Sequence, residues 1–217
     1  MPLLKRRGRY ASVMTTQFTQ RARLTAGLIS AAAFAALVAQ AFIGAGPDTG
    51  PLVAFAQLMR FFTIWSNLAA AMLMGWIALR GSAHSSLPFA LATALAIVAI
   101  VYHALLAQDH HPVGLDWYTN QMHHMLVPLA VIGWWIAFTE PSDNTWKNVP
   151  AVMIAPVIYT VFALVYGEAS GFYAYFFLDV AQFGYGPVLA NILGLAVIFM
   201  IFGLILLGLR RLLSARA

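Results

Sequence analysis

Apolar residues fall into six long runs with short polar segments between them: about 24–45, 52–79, 87–106, 116–138, 149–166 and 188–209. Most approach the roughly 20 residues that a helix needs to cross the hydrocarbon core of a bilayer. A half-buried strand would instead alternate polar and apolar over four to eight residues. The pattern therefore predicts an all-α, polytopic membrane protein of six transmembrane helices. It forms one domain over residues 24–209, flanked by basic tails at 1–23 and 210–217. The first run is too long for a signal-peptide core, and it ends in Gly46-Pro47-Asp48 rather than a small-x-small cleavage site. It is expected to stay as a span.

Composition narrows the class. Hydrophobic residues make up 62% of the chain and charged residues 9%, against about 25% charged in a typical soluble domain. This excludes an ordinary soluble domain and a disordered chain alike. With no cysteine, disulfides, thiolate metal sites, iron–sulfur clusters and cysteine nucleophiles are excluded too. The net charge of +5 would point to nucleic acid in a soluble protein, but here its placement explains it. Lys and Arg gather in the N-terminal tail, at Arg80, at Lys147 and in the C-terminal tail. The connections 46–51, 108–115 and 167–187 hold none, and carry Asp48, Asp109, Glu168 and Asp179. The positive-inside rule then puts both termini in the cytoplasm, and no nucleic-acid partner is expected.

Arg60 is the one basic residue that topology leaves unexplained. Ionisable groups within spans are costly and usually face a bundle interior or a water-filled cavity. Arg60, Thr63 and Asn67 stand at i, i+3 and i+7, so a continuous helix would carry them on one face, with Gln57 a turn away. Arg60 is the candidate partner for a substrate carboxylate, in bidentate geometry. The bland alternative is that these polar side chains glue helices together. In the fourth run Asn120 and His124 share a face, and His123 is turned by about 100°. Tyr102, His103, Asp109, His110 and His111 collect nearby in the sequence, toward the outer side. Entered from Pro51, Thr63 lies about 18 Å down its helix, and His124 lies about 12 Å down from Asp116. The outer segment 168–185 is mostly aromatic and is expected to cap the helices at headgroup level.

Phe62-Thr63-Ile64-Trp65-Ser66-Asn67 and Asn120-Gln121-Met122-His123-His124, followed by Pro128, resemble the two signature regions of the androgen-induced gene 1 family. A third region, from Phe172 through Asp179 and then Phe183-Gly184-Tyr185-Gly186, is similar to an aromatic segment of the family's bacterial branch. There Ala174 and Phe176 stand at proline positions. The resemblance covers roughly Leu52 to the end of the chain. It implies six spans and hydrolysis of fatty acid esters of hydroxy fatty acids, with Thr63 as nucleophile and a histidine as base. The spacing to Asn120 and Pro128 selects His124, and the animal spacing selects His123 as the alternative base.

Arg60, Asn67, Asn120 and His103 are then the candidate substrate-binding residues, Asn67 or a backbone N–H being the oxyanion donor. A lipid or fatty-acyl ester is the expected substrate, the bilayer the expected partner, and no cofactor or metal is expected. The bacterial likeness implies an inner-membrane protein with its site toward the outer leaflet. Two other readings compete. His103 and His124 could be axial haem ligands on facing helices, or Asp109, His110 and His111 could bind Zn²⁺. The other is a non-catalytic transporter or scaffold.

Overall fold

The computed structural model describes residues 15–215. Lys5, Arg6, Arg7, Arg9 and Arg216 of the basic tails thus lie outside the described residues. The helices are α1 (Gln20–Ile43), α2 (Pro51–Leu58), α3 (Phe62–Arg80), α4 (Ser86–Val101), α5 (Leu115–Gln121), α6 (Val127–Phe138), α7 (Ile154–Ser170), α8 (Val180–Phe183) and α9 (Tyr185–Ser214). A π turn over Tyr102–Leu106 extends α4, and another over Met122–Leu126 joins α5 to α6. A 3-10 segment, Trp146–Met153, leads into α7. The architecture is a polytopic helical bundle. Five continuous helical stretches are long and apolar enough to cross a membrane: Gln20–Ile43, Phe62–Arg80, Ser86–Leu106, Trp146–Ser170 and Tyr185–Ser214. The remaining stretch, 115–138, is helical throughout, but Asp116, Asn120, His123 and His124 make its first half polar.

The second apolar run departs from expectation. It is two helices, because Phe61 is extended (φ −105°, ψ 133°) and Met59–Phe61 lie between α2 and α3. No Gly or Pro marks this break; distant side chains specify it. Trp65 Nε1 donates to the Met59 carbonyl at 2.6 Å, and the Tyr159 hydroxyl donates to that of Arg60 at 2.6 Å. The Tyr175 hydroxyl accepts the Phe62 N–H at 3.1 Å. Every group named is one that an uninterrupted helix would have satisfied itself. Hydropathy reads through such a break because the residues across it stay apolar.

Helix α1 packs along α3 on small residues. Ala22, Ala26 and Ala33 of α1 and Ala70, Ala71 and Met74 of α3 are buried. Small side chains let two backbones approach closely where lipid offers no hydrophobic drive for association. Ser30 uses that closeness to donate to the Ala71 carbonyl at 2.7 Å.

One end of the bundle is basic and stapled. Strands β1 (Thr15–Gln17) and β2 (Ser82–His84) pair antiparallel beside it. Gly81, at φ 70°, ends α3 in the left-handed conformation that glycine adopts without strain. Arg23 Nε and Nη2 donate to the Ala78 and Leu79 carbonyls at 3.0 and 3.1 Å. This sets a cation on the negative end of the α3 dipole. Asn144 donates to the Ser85 carbonyl at 3.2 Å, and Arg210 donates to that of Thr139. These bonds gather Arg23, Arg80, Lys147 and Arg210 at one end.

A Cβ on Gly75 would lie 2.9 Å from Ser30 Oγ, whereas one on Gly133 meets nothing within 4 Å. Gly75→Val should therefore lower stability by about 1–3 kcal/mol through overpacking. Gly133→Ala, in mid-helix, should be neutral or stabilising by up to about 1 kcal/mol. Thermal unfolding of the two variants in nanodiscs checks this; equal midpoints would contradict the close α1–α3 contact.

Candidate functional site

The break sets Thr63 in the first turn of α3, where backbone N–H groups lack helical partners. Tyr175 comes down to meet it. Beyond α7 the chain turns at Gly171 and returns through the segment 172–179, with Tyr175 and Leu178 buried. The Tyr175 ring stacks on Phe177 (5.2 Å, 7°). The return is close-packed: a Cβ on Gly167 would run into the Tyr173 ring. Burial pushes the Tyr175 phenol pKa up, opposed in part by the adjoining Thr63 hydroxyl, Thr63 N–H and Phe62 N–H. The phenol thus keeps its proton at neutral pH.

The two π turns supply the opposite wall. Pro128 has no N–H to give the His124 carbonyl, and its ring crowds that carbonyl. The helix widens there, and the Val127 N–H bonds to Met122 instead of His123. The freed His123 carbonyl accepts Asn67 Nδ2 at 3.1 Å. In the other π turn the Ala107 N–H reaches the Tyr102 carbonyl at 2.8 Å. Such turns recur at functional sites, because they re-aim side chains without ending a helix.

His124 is held on two sides. Its Nδ1 is 3.1 Å from the Asn120 carbonyl. A carbonyl only accepts, so Nδ1 carries the proton and Nε2 of the neutral ring keeps a lone pair. The ring also stacks on Tyr102 at 3.7 Å and 15°. Tyr102 is fixed in turn: its hydroxyl accepts Asn120 Nδ2 at 2.7 Å and pairs with His110 Nδ1 at 3.1 Å. His123 is buried, and neither ring nitrogen has a well-formed hydrogen bond, although the ring approaches the Ala36 backbone.

Counted from the basic end, Thr63, Tyr102 and His124 lie within about one helical turn of one another in depth. Along their helices Thr63 lies about 26 Å from Arg80, Tyr102 about 24 Å from Ser86, and His124 about 21 Å from Phe138.

Two cavities meet at this level. One, of about 420 Å³, is almost wholly apolar and lies among the start of α3, α4, α7 and α9, with Ile97, Val101, Leu164, Ile192 and Phe199 in its walls. The other, of about 430 Å³, is the more polar of the two: its walls are still mainly apolar, with Leu58, Phe61 and Ile64, but Asp109, His110, Asp116, Asn120, His123 and His124 also line it. Thr63, Tyr102, Leu106 and Tyr175 line both. Thr63 and His124 thus line the same cavity, with no direct hydrogen bond between them.

The other sequence candidates lie elsewhere. Arg60 is not a charge in mid-helix: it stands in the break, its guanidinium 4.2 Å over the Phe172 ring and Nε donating to the Gln57 carbonyl. The break also removes the helical phase that would have aligned Arg60 with Thr63. Asn67 is fully buried, and its Nδ2 serves the Thr63 and His123 carbonyls. It clamps α3 to the π turn and has no amide N–H left for an oxyanion. His103 is exposed, and its ring meets that of Tyr102 at 5.2 Å in a T-shaped contact. Among the described residues no three His, Asp or Glu gather as metal ligands.

Sequence reasoning passed over Gln40, which donates to Asp116 Oδ1 at 2.9 Å and accepts from the Thr119 hydroxyl. A lone amide in the apolar run of α1 was the available signal. The Tyr175 hydroxyl contact had no local signal. Comparison with protein families, curated proteins and solved structures finds no match for the chain.

Asn67→Leu strands the His123 carbonyl and should cost about 1–3 kcal/mol. Hydrogen exchange at residues 122–128 should rise with it. Unchanged exchange there would contradict the clamp.

Proposed function

We propose that the protein is an intramembrane hydrolase of fatty-acyl esters, with Thr63 as nucleophile and His124 as general base. The observation that carries this reading is the position of Thr63 on the wall common to the apolar and polar cavities. An acyl chain in the first cavity brings its ester carbonyl to Thr63, and the alcohol part extends into the second. The motifs at 62–67 and 120–128, which resemble those of the androgen-induced gene 1 family, agree with this assignment.

In the proposed mechanism, His124 Nε2 takes the proton of the Thr63 hydroxyl as Oγ1 attacks the ester carbonyl. A hydroxyl nucleophile needs such a base because it is weak at its ordinary pKa. Attack places negative charge on the carbonyl oxygen. The Tyr175 hydroxyl, already accepting the Phe62 N–H, has its own proton to offer that oxygen. The positive end of the α3 dipole reinforces it. Collapse breaks the bond to the alcohol oxygen, which leaves with the proton from His124. Water, deprotonated by the same nitrogen, then cleaves the acyl-threonine to fatty acid and free Thr63. Asn120 holds His124 in the required tautomer through its backbone carbonyl.

The topology that accompanies this function counts 115–138 as a sixth span. Its polar half is sheltered by α1, through Gln40, and by α4, through Tyr102. With six spans both termini lie on the basic side, the cytoplasm under the positive-inside rule. The site then lies toward the outer leaflet.

Covalent labelling with a lipid-like fluorophosphonate tests the assignment. Thr63→Ala should abolish labelling, and His124→Gln should slow it by about 10²- to 10⁴-fold. Ser66→Ala and His123→Gln should keep most of it. Label that survives in Thr63→Ala, or is lost in Ser66→Ala alone, would rule out Thr63 as nucleophile. Tyr175→Phe should slow labelling by up to about 10³-fold, the scale for one oxyanion donor; an unchanged rate would remove Tyr175 from the mechanism.

A further inference from the structure

The polar cavity has a chemical bias that limits what can leave from Thr63. Asp109 and Asp116 both line it, and none of its lining residues is Lys or Arg. Arg60, the nearest candidate cation in the sequence, spends its guanidinium on Phe172 and the Gln57 carbonyl. Buried acceptors add to the carboxylates. Asn120 is 5% exposed and its Oδ1 has no partner. His123 is 2% exposed; its ring approaches the Ala36 backbone on one side, and neither nitrogen has a well-formed hydrogen bond. Both residues face the cavity. A neutral imidazole presents one acceptor and one donor, so the unmet demand in this chamber is mainly for hydrogen-bond donors. Leaving such buried atoms unpaired is costly, and a ligand that pairs them recovers that cost.

Resting on the hydrolase reading, we infer that the head group leaving from Thr63 is a non-anionic hydrogen-bond donor. It is a polyol hydroxyl or an ammonium carried on a single-chain ester, and not a free carboxylate. A carboxylate brings only acceptors to a chamber already holding two carboxylates and an unpaired amide oxygen. Like charges set together in this way are what a binding site uses to reject a ligand. A hydroxyl or ammonium donates to Asn120 Oδ1 and the Asp oxygens. The hydroxy-acid part of a fatty acid ester of a hydroxy fatty acid carries the disfavoured group. Esters of glycerol or of an amino alcohol carry the favoured one.

Equilibrium binding of three dodecyl amphiphiles to the full chain in nanodiscs tests this without requiring turnover. The probes are 1-O-dodecylglycerol, dodecylammonium and dodecanoate, each measured on the wild type and on an Asp109→Asn/Asp116→Asn variant. The glyceryl ether or the ammonium should bind roughly tenfold or more tightly than dodecanoate, in line with the cost of like-charge juxtaposition. The double substitution should shrink the advantage of dodecylammonium over dodecanoate. The two donor arms distinguish a polyol from an amine head group. Dodecanoate binding as tightly as both, or an ammonium advantage undiminished in the double variant, would overturn the inference.

Hydrolysis of the matching esters separates the two levels of the argument. Donor-selective binding with no turnover of any ester supports the chamber's preference and refutes the hydrolase reading. Preferred turnover of the anionic ester keeps the hydrolase and overturns the inference.

Discussion

A backbone polar group inside a bilayer must find its partner within the protein, since hydrocarbon provides none. Regular helices meet this demand by themselves. This chain departs from regularity at the 59–61 break and at two π turns, and at each place a named side chain or a shifted backbone bond supplies the missing partner. Trp65 and Tyr159 take the carbonyls of Met59 and Arg60, Tyr175 takes the N–H of Phe62, and Asn67 takes the carbonyl of His123. The candidate site consists of these repairs and the residues between them. Satisfying the backbone and positioning Thr63 against His124 are thus one structural problem with one solution.

That coupling explains the division of labour among the polar residues. Asn67 stabilises the widened turn and thereby fixes where His123 and His124 project. Tyr102 gives His124 a face to stack on, and Asn120 serves both Tyr102 and His124, one through its side chain and the other through its carbonyl. Pro128 acts at a distance of one turn by denying the His124 carbonyl a donor. None of these needs to touch substrate to matter. Under the proposed function, this support would hold Thr63 and His124 within the small tolerances that catalysis requires.

Much of the architecture was legible because hydropathy and charge placement are simple signals. Apolar runs reflect bilayer thickness, and five of them appear as membrane-length helices. The candidate pair of Thr63 and His124 came from the resemblance carried by residues 62–67 and 120–128; spacing alone showed only that Asn120 and His124 are one turn apart, with Pro128 one turn further. What escaped were features set by contacts far apart in sequence. The break before Phe62 depends on Tyr159 and Tyr175, some hundred residues away. Pattern alone continued the helix and so placed Arg60 at membrane depth beside Thr63. With the break present, Arg60 stands before α3 over Phe172, and it is not among the residues lining the chamber beside Thr63. Asn67 was read as a substrate contact for the same reason: sequence shows a polar face but not which carbonyl has been freed for it.

The most direct test of a threonine nucleophile on this wall is the location of the covalent adduct. Tandem mass spectrometry of the protein after reaction with a lipid-like fluorophosphonate should find the added mass on Thr63, within a peptide that also contains Ser66. Fragment ions that separate the two residues decide the matter. An adduct on Ser66 or on any residue away from the junction of the two cavities would contradict the account.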